Sequence, residues 1–182
     1  MNVAEHLEQH LGPIERGWSA ESLPGVQVCL FRDRPETGVF SLATLGLSNS
    51  ILAMSGDRNV RQELLLAIRG DVFLDDLVKM LMHVAETLLA RKRALLRGDV
   101  FPLGQPIGKG SAASALYSSI PVIFPESLAT LRDSTPPTVF VWMIPLLASE
   151  AAFVESSGWS EFEDCMEAAN PDLFDIARGS IV

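Results

Sequence analysis

The chain has 182 residues, 48% of them hydrophobic and 20% charged, with a net charge of -9. That length suffices for one sizeable core, so a single domain over 1–182 is expected, with 1–24 as an N-terminal helix and loop. An acidic chain is repelled by phosphates, which disfavours direct nucleic-acid binding; a basic partner protein suits it better.

Val3 to Leu11 reads as a short amphipathic helix, ended by Gly12 and Pro13. No basic start followed by an apolar run opens the chain, so no signal peptide is expected. A loop holding Trp18 follows. "VQVCLF" (Val26 to Phe31) and "VFSLATLGL" (Val39 to Leu47) read as two strands of a hairpin. "VRQELLLAI" (Val60 to Ile68) reads as a third strand. It sets Leu64, Leu66 and Ile68 on one face and Glu63, Leu65 and Ala67 on the other.

From Asp71 to about Arg97 the period changes. Leu77, Leu81, Val84, Leu88 and Leu95 trace one helical face. Asp71 is a candidate cap for its start and Gly98 for its end. Arg91, Lys92, Arg93 and Arg97 would then offset the helix dipole, which is the favoured explanation of this basic cluster over a phosphate patch. "ALYSSIPVIF" (Ala115 to Phe124) reads as an extended segment, and Pro121 marks it as an edge or bent strand.

"VFVWMIPLLASEAAFV" (Val139 to Val154) is the most apolar stretch. It is shorter than the about 20 residues of a membrane span, and Pro145 interrupts it. Val139 to Ile144 is apolar on both faces and is expected as a central strand, with Pro145 ending its ladder. Ser149 should cap a helix that stops near Gly158. Ser160 and Glu163 are spaced as a capping box for one more, through about Ala169. "PDLFDIARGSIV" closes the chain, as a short strand in this reading. The sum is an α+β domain with a mainly antiparallel sheet of about five to six strands, one long helix and several short ones.

The chemistry-bearing residues form no catalytic signature. Cys29 and Cys165 suit two buried, reduced thiols, which fits a cytoplasmic protein. His6 and His10 have a chelating spacing but no third ligand nearby, so two solvated histidines are expected and no metal site is assigned. His83 reads as a boundary residue of the long helix. "GQPIGKGS" (Gly104 to Ser111) has three residues where a phosphate loop needs four, and reads as a surface loop. Asp71, Asp75 and Asp76 sit where helix-start acids belong. No cofactor is assigned, and an uncharacterised hydrolase is the least favoured reading.

Five stretches, taken in order, carry a resemblance. They are "TLGLSN" (Thr44 to Asn49), "RQELLLAI" (Arg61 to Ile68), "GDVF" (Gly98 to Phe101), "VFVWMIPLLASEAAFVESSGW" (Val139 to Trp159) and "LFDIARGSIV". Together they resemble the suppressor of fused family, a branch of the SUKH superfamily, over roughly Gly25 to Val182. The resemblance implies a non-enzymatic protein-binding domain. Animal members sequester zinc-finger transcription factors in hedgehog signalling. Many bacterial members are immunity proteins that neutralise toxins, often nucleases. The leading expectation is an immunity protein acting by direct contact. The alternative is a regulatory adaptor that holds a partner segment by strand addition.

In animal members the acid of the Gly-Asp pair helps grip an extended partner peptide; here it is Asp99. Those members continue into a second large domain beyond the point matching Val182, so the clamp between two domains is not expected here. Asp99 is therefore read two ways, as a partner contact or as an acceptor for turn amides. Trp18 and Trp159 are the other partner-binding candidates, read either as interface anchors or as lids over a small core.

Overall fold

The computed structural model describes residues 1–70 and 74–182. In chain order these form α1 (Val3–Leu11), β1 (Arg16–Ser19), β2 (Gln27–Arg32), β3 (Val39–Leu45), β4 (Leu52–Ala53) and β5 (Asn59–Arg69). Then come α2 (Leu74–Arg91), β6 (Val100–Pro102), β7 (Ala113–Ser119), β8 (Thr130–Leu131), β9 (Thr138–Leu147), α3 (Ala148–Ser157) and α4 (Trp159–Ala169). One sheet runs β1-β2-β3-β5-β9-β7-β6, with β4 beside β5 and β8 beside β9. Its pairings are antiparallel except β5 with β9. The α+β, mainly antiparallel architecture is as expected. The five long strands are the five read from the sequence, and the four added ones have only two to four residues.

Both faces of the sheet are covered, and the strand alternation shows how. Leu64, Leu66 and Ile68 of β5 join the core that α2 closes with Leu77, Leu81, Val84 and Leu88. Leu65 and Ala67 face the other way, into a second core with Leu7 and Leu11 of α1. Strand β9 sends Val141 and Met143 to the first core and Phe140 to the second. Its Trp142 and Ile144 join Tyr117, Val154 and Phe162 in a third. A strand apolar on both faces is thus central, as expected. No helix of the described residues is long and apolar enough to cross a membrane.

Glu63 is fully buried on β5 and would be costly without partners. It receives the Thr44 hydroxyl at 2.6 Å, the Gly46 N–H at 2.9 Å, and the Ser48 N–H and hydroxyl at 3.0 and 2.6 Å. "TLGLSN" and "RQELLLAI" are therefore wired to each other. Gly46 has φ +105°, and a Cβ there would stand 2.1 Å from the Gly25 carbonyl oxygen, so only glycine fits the turn.

Several local expectations are corrected. The segment around Trp18 is not a loop but strand β1, too short to show alternation. The long helix stops at Arg91, because Lys92 takes a left-handed φ of 52°. Lys92, Arg93 and Arg97 thus lie beyond the helix, and Gly98 closes a later turn. The Asp71 cap lies outside the described residues. Strand β7 ends at Ser119, before Pro121, and is not an edge, since β6 covers it.

Pro145 does not end β9, which continues to Leu147. Its carbonyl accepts from Arg178 Nη2 rather than from β7. In an antiparallel pair the N–H of a residue points with its C=O, so the missing donor costs the ladder nothing. Ser149 lies inside α3, and its hydroxyl meets that of Ser180 at 2.8 Å. The start of α3 is held instead by Glu150, which accepts the Leu147 N–H at 3.0 Å. Helix α4 starts at Trp159, so Ser160 does not cap it. The last residues run as turns rather than as a strand.

Candidate partner-binding site

The sheet has two edges, and they differ. Among the described residues, β1 pairs only with β2 at one, and β6 only with β7 at the other. Asp99, Trp159 and the Gly98 turn gather at the β6 edge. Trp18 sits at the β1 edge, six strands away, roughly 30 Å at the usual strand spacing. The structure therefore joins two of the three expected residues and separates the third.

Asp99 is half-buried. One carboxylate oxygen accepts the Leu96 N–H at 2.9 Å, and its own N–H donates to the Leu96 carbonyl at 3.0 Å. Ser118 N–H donates to the Asp99 carbonyl, and Gly98 N–H to the Ser118 carbonyl, both at 2.9 Å. This anchors the turn to β7 just before β6 begins.

Gly98 has φ +92°, and a Cβ there would meet the Trp159 ring at 2.5 Å. The indole packs directly on this bare backbone and stays 41% exposed. The Arg97 guanidinium carbon lies 4.8 Å from the ring centre on the indole face. Arg97 also donates two hydrogen bonds to Glu163, from Nε at 3.0 Å and from Nη2. Tyr117 donates to the same carboxylate at 2.8 Å. Burial, then the Glu163 bond, pushes the Tyr117 hydroxyl well above its ordinary value, so it stays a donor.

Sequence reading missed this network. It placed Arg97 in a helix end and Glu163 in a capping box. The partners stand 66 residues apart, with no local signal linking them.

Strand β6 itself is short. The bonds of Asp99 and Leu103 to β7 fix the alternation, so Val100 turns its N–H and C=O outward. Pro102 turns out a carbonyl only. Beside this edge lies a groove of about 780 Å³ between β6 and α3. Val100, Pro102, Ala115, Ala151, Ala152 and Val154 make its walls, with Asp99 and Glu155 at its rim. The arrangement can take an extended segment, with backbone bonds at Val100 and small apolar side chains in the groove.

The family model described as Suppressor of fused protein (SUFU) matches residues 22–179. The chain belongs to the suppressor of fused family. The matched span holds Asp99 and Trp159 and leaves out Trp18. Immunity protein YqcF of Bacillus subtilis (strain 168) is 21% identical over 172 residues, 93% of this chain and 88% of that protein. Among solved structures, a putative SUFU homolog from Neisseria gonorrhoeae FA 1090 superposes with a TM-score of 0.80 at 20% identity, covering 99% of this chain and 94% of that one. The Sufu–Fu complex gives 0.74 at 12%, over 98% and 90%. Drosophila Suppressor of Fused gives 0.71 at 11%; there the match takes 98% of this chain and 50% of the longer one. These structures establish the suppressor of fused fold.

Trp18, outside that match, packs on the core under α2, with the Arg16 guanidinium 4.5 Å from its ring centre. Its Nε1 is buried with no partner among the described residues. His6 is not solvated: it is buried, with Nε2 at 3.1 Å from the Leu128 carbonyl. Desolvation lowers its pKa. His10 meets the His6 carbonyl and the Ser127 hydroxyl, both at 2.8 Å. His83 is exposed on α2, edge-on to Phe101.

Proposed function

We propose that this chain works by binding a protein partner without chemistry of its own. In its sharper form, it is a cytoplasmic immunity protein that neutralises a toxin, a nuclease in the leading version, by direct contact. The observation that carries the reading is the β6 edge: outward backbone groups at Val100, an apolar groove, and Trp159 half-exposed on Gly98. An aromatic anchor beside a small-residue groove is the composition of a binding hot spot. The similarity to an immunity protein adds support. So does the net charge of -9, which steers a basic partner and makes association fall with salt.

Co-expression with the toxin encoded next to its gene tests this. Growth should be restored and a complex should elute on a sizing column; no rescue of growth together with no complex would sink the proposal.

The outward N–H and C=O of Val100 favour a second reading, a regulatory adaptor that holds a partner segment as an added strand. Pull-downs that recover a regulatory protein, with no toxin encoded nearby, would select it.

A further inference from the structure

A second cavity, of about 660 Å³, lies away from the β6 edge. It opens where the first turn of α1 faces the start of β2, the end of β3 and the starts of β5 and β9. Its size suits a small ligand. Val3, Ala4, Val26, Leu45 and Leu131 line it with apolar surface.

Two polar side chains stand together in its wall. Arg61 and Thr138 are register partners in the parallel β5–β9 pair, so they share one face of the sheet. Arg61 uses Nη1 alone, donating to the Ser48 and Asn49 carbonyls at 2.8 and 3.0 Å. Its Nε is buried with no acceptor among the described residues. Nη2 has none either, and no carboxylate among them reaches Arg61 as an ion pair. Thr138 is only 2% exposed and lines the same wall. Glu63, two residues along β5, is occupied by four donors of its own. Asp133, at the rim, is taken by the amino group of Met1.

Nε and Nη2 form the side-on fork of a guanidinium, which matches a carboxylate. We propose that this cavity binds a carboxylate carried on a short apolar body. The Arg61 fork and the Thr138 hydroxyl hold the charge, and the aliphatic walls hold the body. The pairing resolves a buried donor that the fold otherwise leaves unmet.

The test is an NMR titration of the intact protein with hexanoate, hexanamide and inorganic phosphate. Hexanoate should shift the Gly46, Asn49 and Thr138 amides saturably. Hexanamide and phosphate should each bind about tenfold more weakly or worse, the first lacking the charge and the second the apolar body. Arg61→Gln should weaken hexanoate by a similar factor. Because Arg61 also holds two turn carbonyls, Thr138→Val serves as the second variant; it keeps the shape, leaves the turn bonded, and should weaken hexanoate as well. Absence of saturable shifts, equal binding of the amide or of phosphate, or a Thr138→Val variant that binds hexanoate like wild type would overturn the proposal. None of these readouts involves a protein partner, so they stand apart from the β6 reading.

Discussion

Gly98 shows how one missing side chain shapes a surface. Its backbone is left-handed, and the Trp159 ring fills the space a Cβ would need. Gly98→Ala combines backbone strain with a clash, and should lower unfolding stability by about 1–3 kcal/mol. Denaturant midpoints measure this, and tryptophan emission should report the displaced indole; an unchanged midpoint would contradict the packing. Glu63 gives a second residue-scale prediction. Burial, the largest cause, raises its pKa above the ordinary 4.5, while four hydrogen bonds pull the other way. The native state therefore holds the Glu63 proton more tightly than the unfolded chain does. Stability from this group is greatest at low pH and falls as pH rises from the ordinary range through the raised native value. Stability of wild type relative to Glu63→Gln should decline over that window. A rise would mean that the donors outweigh burial.

Among elements, the tail and α3 depend on one buried ion pair. Arg178 donates to both Glu150 oxygens, at 2.5 and 2.8 Å, with side chains 7% and 0% exposed. Ile181 N–H adds a bond to the same carboxylate. Arg178→Ala strands a buried charge and should cost about 3–5 kcal/mol, read from thermal or denaturant unfolding. A loss below about 1 kcal/mol would place the pair among weak surface bridges. The elements were legible where a period could declare itself. Helix α1 and the five long strands have enough residues to alternate or turn. The four short strands do not, and β6, the site's own edge, is one of them. The end of α2 was misread because Leu95 continues the apolar step, although the chain leaves the helix at Lys92. Pro145 was misread because a strand with no β5 partner at that level can spare a donor. Asp99 came into view through family resemblance, and Trp159 as an aromatic in a polar stretch. Arg97, Glu163 and Tyr117 could not, because only the folded sheet brings them within reach.

At the scale of the whole molecule, the sheet presents two unlike ends. The β1 end carries Trp18 on the core with Arg16 over it. The β6 end carries the groove, the Gly98 turn and the exposed indole. Trp159→Ala should weaken partner binding by about tenfold or more, since truncated aromatic anchors commonly cost over 1 kcal/mol. A lid role alone would lower the melting temperature and leave affinity intact. For the proposed immunity role, the most direct measurement is calorimetric titration of any toxin found encoded beside this gene with wild type and Ala152→Arg. Ala152 is exposed on α3 and lines the groove, so arginine there blocks the groove without entering the core. The β6 account predicts saturable binding by wild type and a loss of about a hundredfold or more in Ala152→Arg at equal melting temperature. Equal affinity in the two proteins, or no binding by wild type, would contradict it.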